Sequence, residues 1–189
     1  AADLYKADME MNLRTPSMGG FQLLDLQDYP GQGTALVGVL DAFMDSKGLI
    51  TPERWRESCD KIVALAEFPG YTLSGGDMFT PRISVANYSG HDLAGDSVNV
   101  SLLVGGTPVA ARTFAIPAGQ GYVAVDSMTV RMPDNGSALT ARLELEIPSR
   151  GVRNSYPLWI YPSDRTVAPA SGVKISSKWD DEARAHLRG

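Results

Sequence analysis

Beyond Tyr71 the chain alternates between apolar and polar positions. Leu139, Ala141, Leu143, Leu145 and Ile147 are apolar, and Thr140, Arg142, Glu144 and Glu146 lie between them. That is the period of two of a strand with one buried face. Val98, Val100, Leu102 and Val104 repeat the pattern, with Asn99, Ser101 and Leu103 on the other face, and Phe79, Ile83 and Val85 show it more briefly. Turn-forming residues separate these runs at Ser89-Gly90, Gly105-Gly106, Ala118-Gly119-Gln120-Gly121, Pro133-Asp134-Asn135-Gly136 and Ser149-Arg150-Gly151. Half-buried strands at this spacing predict an antiparallel β-sandwich of immunoglobulin-like type, closing with a strand over 155–161.

The chain before Tyr71 has a different rhythm. Tyr5, Met9 and Leu13 fall at i, i+4 and i+8, which predicts a helix with Asp3 as its N-cap, stopped by Thr15-Pro16. The run from Phe21 to Asp28 reads as a short strand ending in polar residues. Helix, turn and strand with carboxylates at the strand's C-terminal end is the grammar of an α/β barrel unit. Ala35 to Met44 suits either a helix or irregular chain. Thr51-Pro52-Glu53 is a helix start, with Trp55, Cys59 and Ile62 on one face, although Ile62 to Leu65 suits a strand equally well. After residue 163 a polar stretch reads as a linker. Val173-Lys174-Ile175 then predicts a strand, and Ser177 to Arg188 a helix carrying Trp179, Ala183 and Leu187 on one face. The expected fold is mainly β: an immunoglobulin-like antiparallel β-sandwich preceded by a terminal β/α unit of a (β/α)8 barrel. Its expected divisions are 1–68 for the barrel end, 69–163 for the sandwich, and 164–189 for the linker and the start of a further α/β domain.

Composition narrows the function classes. Of the 189 residues 43% are hydrophobic and 21% charged, which suits a folded core without disulfides or metals. A net charge of −5 with scattered basic residues argues against a nucleic-acid partner. No stretch approaches the roughly 20 apolar residues of a membrane helix, so no membrane partner is expected. The opening fourteen residues are amphipathic and charged, unlike a signal peptide, so the chain is expected to begin either after a cleavage site or inside a longer protein, the second being preferred.

Candidate chemistry is sparse. Cys59, the sole cysteine, reads as a small buried residue on a helix. With only His91 and His186 beside it, neither a nucleophilic pair nor a zinc site is expected. Three sequons, at Asn87, Asn99 and Asn135, read as chance occurrences. Gly31-Gln32-Gly33 has Leu36 where a dinucleotide fingerprint needs a third glycine, so no such cofactor is expected. Asp126, Asp134 and Asn135 lack the spacing of a calcium site, and turn chemistry explains the last two. Asp25 and Asp28 sit three residues apart, so on a strand they point to opposite faces and do not form a catalytic pair. Trp159, Tyr161 and Tyr122 suit sugar stacking, but packing at a domain interface is the preferred reading for at least one of them.

The stretch Gly20-Phe-Gln-Leu-Leu-Asp-Leu-Gln-Asp-Tyr-Pro-Gly-Gln-Gly-Thr-Ala-Leu-Val-Gly-Val-Leu-Asp-Ala-Phe-Met-Asp-Ser-Lys-Gly48 resembles the end of the catalytic barrel in glycoside hydrolase family 2-like proteins. It is most similar to bacterial ones of the β-galactosidase and sugar-binding-domain glycosidase kind. The Asn154 to Pro162 strand is similar to the end of the sandwich that follows such barrels. The resemblance implies a retaining β-glycosidase as parent, periplasmic or extracellular, whose two catalytic glutamates precede Ala1. This chain would then be its non-catalytic C-terminal region, bracing the barrel and inactive alone. Asp25, Gln27, Asp28 and Tyr29 would rim a carbohydrate pocket, with no catalytic residue and no cofactor. The exposed barrel remnant would favour a homo-oligomer. The alternative is a self-standing carbohydrate-binding or adhesion β-sandwich.

Overall fold

The computed structural model describes residues 2–34, 36–163, 171, 173 and 176–187. Helix α1 spans Ala2–Arg14 and α2 Pro52–Arg56. The strands are β1 Ile62–Glu67, β2 Thr72–Ser74, β3 Met78–Phe79, β4 Arg82–Asn87, β5 Ser97–Val104, β6 Thr107–Ala115, β7 Gly121–Ser127, β8 Val130–Arg131, β9 Leu139–Ile147 and β10 Val152–Tyr161, followed by helix α3 at Asp181–His186. One sheet has the order β1-β4-β7, a second β2-β10-β9-β5-β6, and β3 pairs with β8 in a small ribbon.

The two larger sheets face each other as a sandwich. Ala64, Ile83, Val85 and Val123 from the first meet Val98, Val100, Leu143, Leu145, Leu158 and Ile160 from the second in one core. The alternation read from the sequence is therefore the alternation between core and outer face. Pairing is antiparallel throughout these two sheets except between β2 and β10, which run parallel.

The strand β1 resolves the ambiguity at Ile62 to Leu65, and its burial explains why alternation was hidden there. Four consecutive residues, Val63 to Ala66, are buried. Ala64 and Ala66 face the sandwich core, while Val63 and Leu65 pack with Ala86 against Leu13 of α1. A strand covered on both faces reads as a continuous apolar run. Ile62–Glu67, which the expected boundary at residue 69 leaves outside the sandwich, is its first strand by pairing with Arg82–Asn87.

Two expectations for the N-terminal region are corrected. No strand forms over 21–28: the chain there is irregular, and its one ladder contact among the described residues is a parallel bridge from Gln27 to Leu40. Asp25 sits at φ 63°, a left-handed conformation that interrupts extended chain. A lone parallel strand also needs neighbours that one β/α unit does not supply. Consequently no barrel remnant is present among the described residues. The closing helix expected from Thr51 to Asp60 is only the five residues of α2, capped by the Thr51 hydroxyl accepting from the Arg54 amide at 3.2 Å. Residues 36–44 are irregular rather than helical. Of the expected tail strand, Lys174 and Ile175 lie outside the described residues.

Helix α1 forms where predicted, with Asp3 inside its first turn and not at the N-cap, but it belongs to the sandwich and its buried face is partly charged. Lys6, Met9, Glu10 and Leu13, at i, i+3, i+4 and i+7, are its buried residues. Glu10 is 2% exposed. Its carboxylate accepts from the Lys6 ammonium, from Asn154 Nδ2 at 2.8 Å and from Arg14 Nη1 at 3.3 Å. Asn154 also donates to the Ala64 carbonyl at 2.7 Å and accepts from Lys6 at 2.6 Å, so its amide orientation follows from the chemistry of its partners. The Lys6 ammonium lies 4.4 Å from the centroid of the Tyr156 ring. The Tyr156 hydroxyl accepts from the Ala66 amide at 3.0 Å, and Phe68 packs edge-on against the Tyr156 ring. No buried side-chain polar atom among the described residues lacks a partner.

Removing one member of a buried charge pair typically costs about 3–5 kcal/mol, whereas replacing both with apolar residues is often near neutral. Glu10→Ala is therefore expected to lower unfolding free energy by about 3 kcal/mol in a urea titration, and Lys6→Met with Glu10→Met to recover most of that loss. Burial pushes the Tyr156 phenol well above its ordinary value of 10.0, with the Glu10 charge acting in the same direction. The folded state then keeps its proton where the unfolded chain loses it, so stability declines as pH rises above 10. Burial lowers the Lys6 ammonium below its ordinary value of 10.5, which acts oppositely below that pH. Denaturation midpoints measured across this range should fall once pH passes 10; Lys6→Met, which takes a donor from Glu10, should lower them at every pH and also remove the opposing rise.

Candidate functional site

The loop between α1 and α2 holds the four residues nominated for a sugar pocket. Asp28 is half-buried and structurally committed. Both its oxygens accept from Lys47 Nζ at 2.9 Å, and Oδ1 accepts from the Gly38 amide at 2.9 Å. Lys47 continues to the Gly38 carbonyl at 3.0 Å, and backbone bonds link Asp28 to Leu40 and Leu40 to Leu26. Gly38 has to be glycine, because a Cβ there would stand 2.4 Å from the Gln27 carbonyl carbon. Tyr29 is exposed with its ring against Gly31, Gln27 is exposed, and Asp25 is half-buried. The cleft beside them, about 290 Å³, is lined by Leu26, Val39, Leu40, Ile50, Pro52 and Trp55 among others and is mainly apolar. Its lining includes none of the four nominated residues.

A second surface brings aromatic and polar groups together on a regular scaffold. Along β10, Pro157, Trp159 and Tyr161 point away from the core, and Tyr156, Leu158 and Ile160 point into it. Trp159 is 42% exposed and Tyr161 43% exposed. Directly opposite residues on neighbouring strands share a face. Trp159 is thus flanked by Thr140 on β9 and Thr72 on β2, Tyr161 by Ser74, and Pro157 by Arg142, which in turn neighbours Leu103 of β5. The depression over this part of the sheet has a volume of about 500 Å³ and is lined by Leu103, Thr140, Arg142, Pro157 and Trp159 with others.

Toward the other end of the same face the groups become charged and mutually paired. Arg142 lies 3.8 Å from Glu144, and Arg153 2.9 Å from Glu146. Ser155 is bound by Arg54 Nη1 at 2.9 Å, and Arg54 pairs with Glu57. The half-buried Arg54–Glu57 pair therefore bounds the open part of the face. Tyr122 stands apart, half-buried on β7 of the other sheet.

Trp159 and Tyr161 were visible in the sequence, whereas Thr72, Ser74, Thr140 and Arg142 were not nominated. Thr140 and Arg142 are the polar half of the clean alternation in β9, but nothing local tells which partner strand stands opposite. Cys59 lies just past α2, half-buried rather than buried, and burial pushes its thiol up. Among the described residues no group of three or more His, Cys, Asp or Glu could hold a metal ion, and no helix is long and apolar enough to cross a membrane.

Residues 77–162 match a family model described as Domain of unknown function (DUF8488). No curated protein matches the sequence. Among solved structures, the chain is similar to the CARDB domain of a Pyrococcus furiosus protein, at 10% identity and a TM-score of 0.35 over 53% of this chain and 94% of that one. It is also similar to a β-glucuronidase of Parabacteroides merdae, at 14% identity and a TM-score of 0.35 over 53% of this chain and 14% of that enzyme. A third similarity is to an FMN-binding β-glucuronidase of Faecalibacterium prausnitzii, at 12% identity and a TM-score of 0.32, covering 89% of this chain and 24% of that one. At these TM-scores the likeness is loose, and the chemistry of the surface rests on its own residues.

The Asp28–Lys47 pair and the close approach at Gly38 together hold the loop. Gly38→Ala is expected to speed amide exchange at Leu40 and Asp28 at least tenfold, read by hydrogen–deuterium exchange, while the amides of β9 and β10 stay protected. Lys47→Ala should produce the same pattern more weakly, by about 1 kcal/mol of local opening.

Proposed function

We propose that this chain is a non-catalytic β-sandwich module of a larger carbohydrate-active protein, and that it engages glycan on the outer face of β10. The observation that carries the reading is the pair Trp159 and Tyr161, half-exposed on one face of a regular sheet and flanked by Thr72, Ser74, Thr140 and Arg142. A pyranose presents apolar C–H faces and a rim of hydroxyls. Aromatic side chains fit the first, and hydroxyl and guanidinium donors fit the second. Hydrolysis would need two carboxyl groups set across a sugar bond. Glu144 and Glu146 on this face are instead ion-paired, Glu144 with Arg142 two residues away on β9 and Glu146 with Arg153 opposite it on β10. The reading keeps the expectation of a glycosidase parent of family 2 type, working in the periplasm or outside the cell.

A bracing role is the second part of the proposal, supported by the loop between the helices. Leu24 is 80% exposed and Phe43 85%, with Leu36 and Leu49 exposed beside them in the sequence. Such side chains suit burial against the rest of a parent protein. In that setting the loop carrying Asp25, Gln27, Asp28 and Tyr29 would border the parent's sugar pocket. In the isolated chain the same side chains would favour self-association.

Isothermal titration of the 189-residue chain against neutral oligosaccharides tests the glycan reading. Trp159→Ala should weaken binding at least tenfold, about 1.4 kcal/mol, with the thermal midpoint little changed. Equal affinity of the variant and the parent chain would refute the site. Turnover of aryl-glycosides by the purified chain would refute the non-catalytic reading. For the loop, Leu24→Ser with Phe43→Ser should reduce concentration-dependent association in light scattering without lowering the unfolding midpoint.

A further inference from the structure

Resting on the glycan reading, we infer that the ligand is a linear, neutral oligosaccharide of two or more units lying along β10, with one end stopped at Arg54 and Glu57. Side chains at i and i+2 on a strand stand roughly 7 Å apart. One sugar ring cannot cover Trp159 and Tyr161 together at that spacing, whereas consecutive rings of a chain running with the strand can. Pro157 extends the same row by one step, so the row offers three positions in succession.

Each position has its own polar neighbour. Pro157 is opposite Arg142, Trp159 lies between Thr140 and Thr72, and Tyr161 is opposite Ser74. Hydroxyl groups therefore recur along the row with the aromatic rings, as a repeating sugar chain requires. Trp159 is flanked on both sides, which makes it the central position.

Direction and charge follow from the boundaries. Beyond Pro157 the next outward residue is Ser155, and Arg54 binds both its hydroxyl at 2.9 Å and its carbonyl at 3.3 Å. Arg54 and Glu57 are held there as an ion pair, so the chain cannot continue over them. At the other end Tyr161 is the last residue of the strand, and its carbonyl accepts from the Gly75 amide just past β2 at 2.7 Å. The ligand thus has a stopped end near Pro157. Arg142 has Glu144 at 3.8 Å, leaving no excess positive charge on this part of the face, which favours neutral sugars over uronates.

The test is a length series of β-1,4-linked gluco- and galacto-oligosaccharides from one to six units, titrated into the full chain and three variants. Affinity should rise at least tenfold from one to three units and then level off. Tyr161→Ala should remove most of that gain, and Tyr161→Phe should restore it. Trp159→Ala should weaken every length. Equal affinity for one and three units, with no effect of Tyr161→Ala, would overturn the linear-chain inference and leave the glycan reading standing. Stronger binding of a uronate series than of these neutral ones would overturn the charge assignment. If no length binds, or Trp159→Ala changes nothing, the glycan reading itself fails and this inference with it.

Discussion

The buried carboxylate of Glu10 is the constraint on which the rest of the architecture turns. A charge taken out of water has to be fully paired, and three donors from two different parts of the chain meet it: Lys6 and Arg14 from its own helix and Asn154 from β10. Asn154 in turn reaches the Ala64 carbonyl of β1, so one cluster ties α1, the first strand and the last strand together. Without this cluster Met9 and Leu13 would be the fully buried side chains left to hold α1. The cluster therefore fixes where the helix lies, and the helix covers the outward side chains of β1. Val63 and Leu65 could not otherwise be buried.

The same chain of contacts bears on the proposed binding face. Asn154 faces the buried cluster, and the next residue outward, Ser155, is bound by Arg54 of α2. Two steps further along the strand come Pro157 and then Trp159. Inner and outer residues of β10 alternate, so the register that places Asn154, Tyr156 and Leu158 inside also places Pro157, Trp159 and Tyr161 outside. A platform set on an inner strand, with Trp159 paired on both sides, needs little ordering when a ligand arrives. That distinguishes it from the loop before α2, where polar groups are spent on holding the backbone.

Much of the sandwich was legible because its strands have one wet face. β5 and β9 show clean alternation and turn residues mark their ends, whereas β10 was placed only over 155–161, because its residues 156–161 are apolar on both faces and it begins at Val152. β1 was ambiguous because it is buried on both faces, and a short apolar run without alternation suits helix and strand alike. The reading of 21–28 as a strand failed for a different reason. Its composition suits a strand, but Asp25 adopts a left-handed conformation and the surrounding chain supplies only one bridge. The helix α1 was placed correctly by its apolar stripe, yet its docking depends on Lys6 and Glu10, which pattern reading assigns to solvent. For the site, the rings of Trp159 and Tyr161 were noticed, while their polar neighbours depended on strand register, a non-local property.

The central claim is that ligand contact belongs to the outer face of β10 and not to the loop cleft. The chain has three tryptophans: Trp55 lines the loop cleft, Trp159 stands on the sheet face and Trp179 precedes α3. Their indole N–H signals in a two-dimensional NMR titration with oligosaccharide report on these places separately. The account predicts that the Trp159 signal shifts in proportion to occupancy while those of Trp55 and Trp179 stay in place. A shift confined to Trp55, or none at Trp159 under saturating ligand, would contradict it.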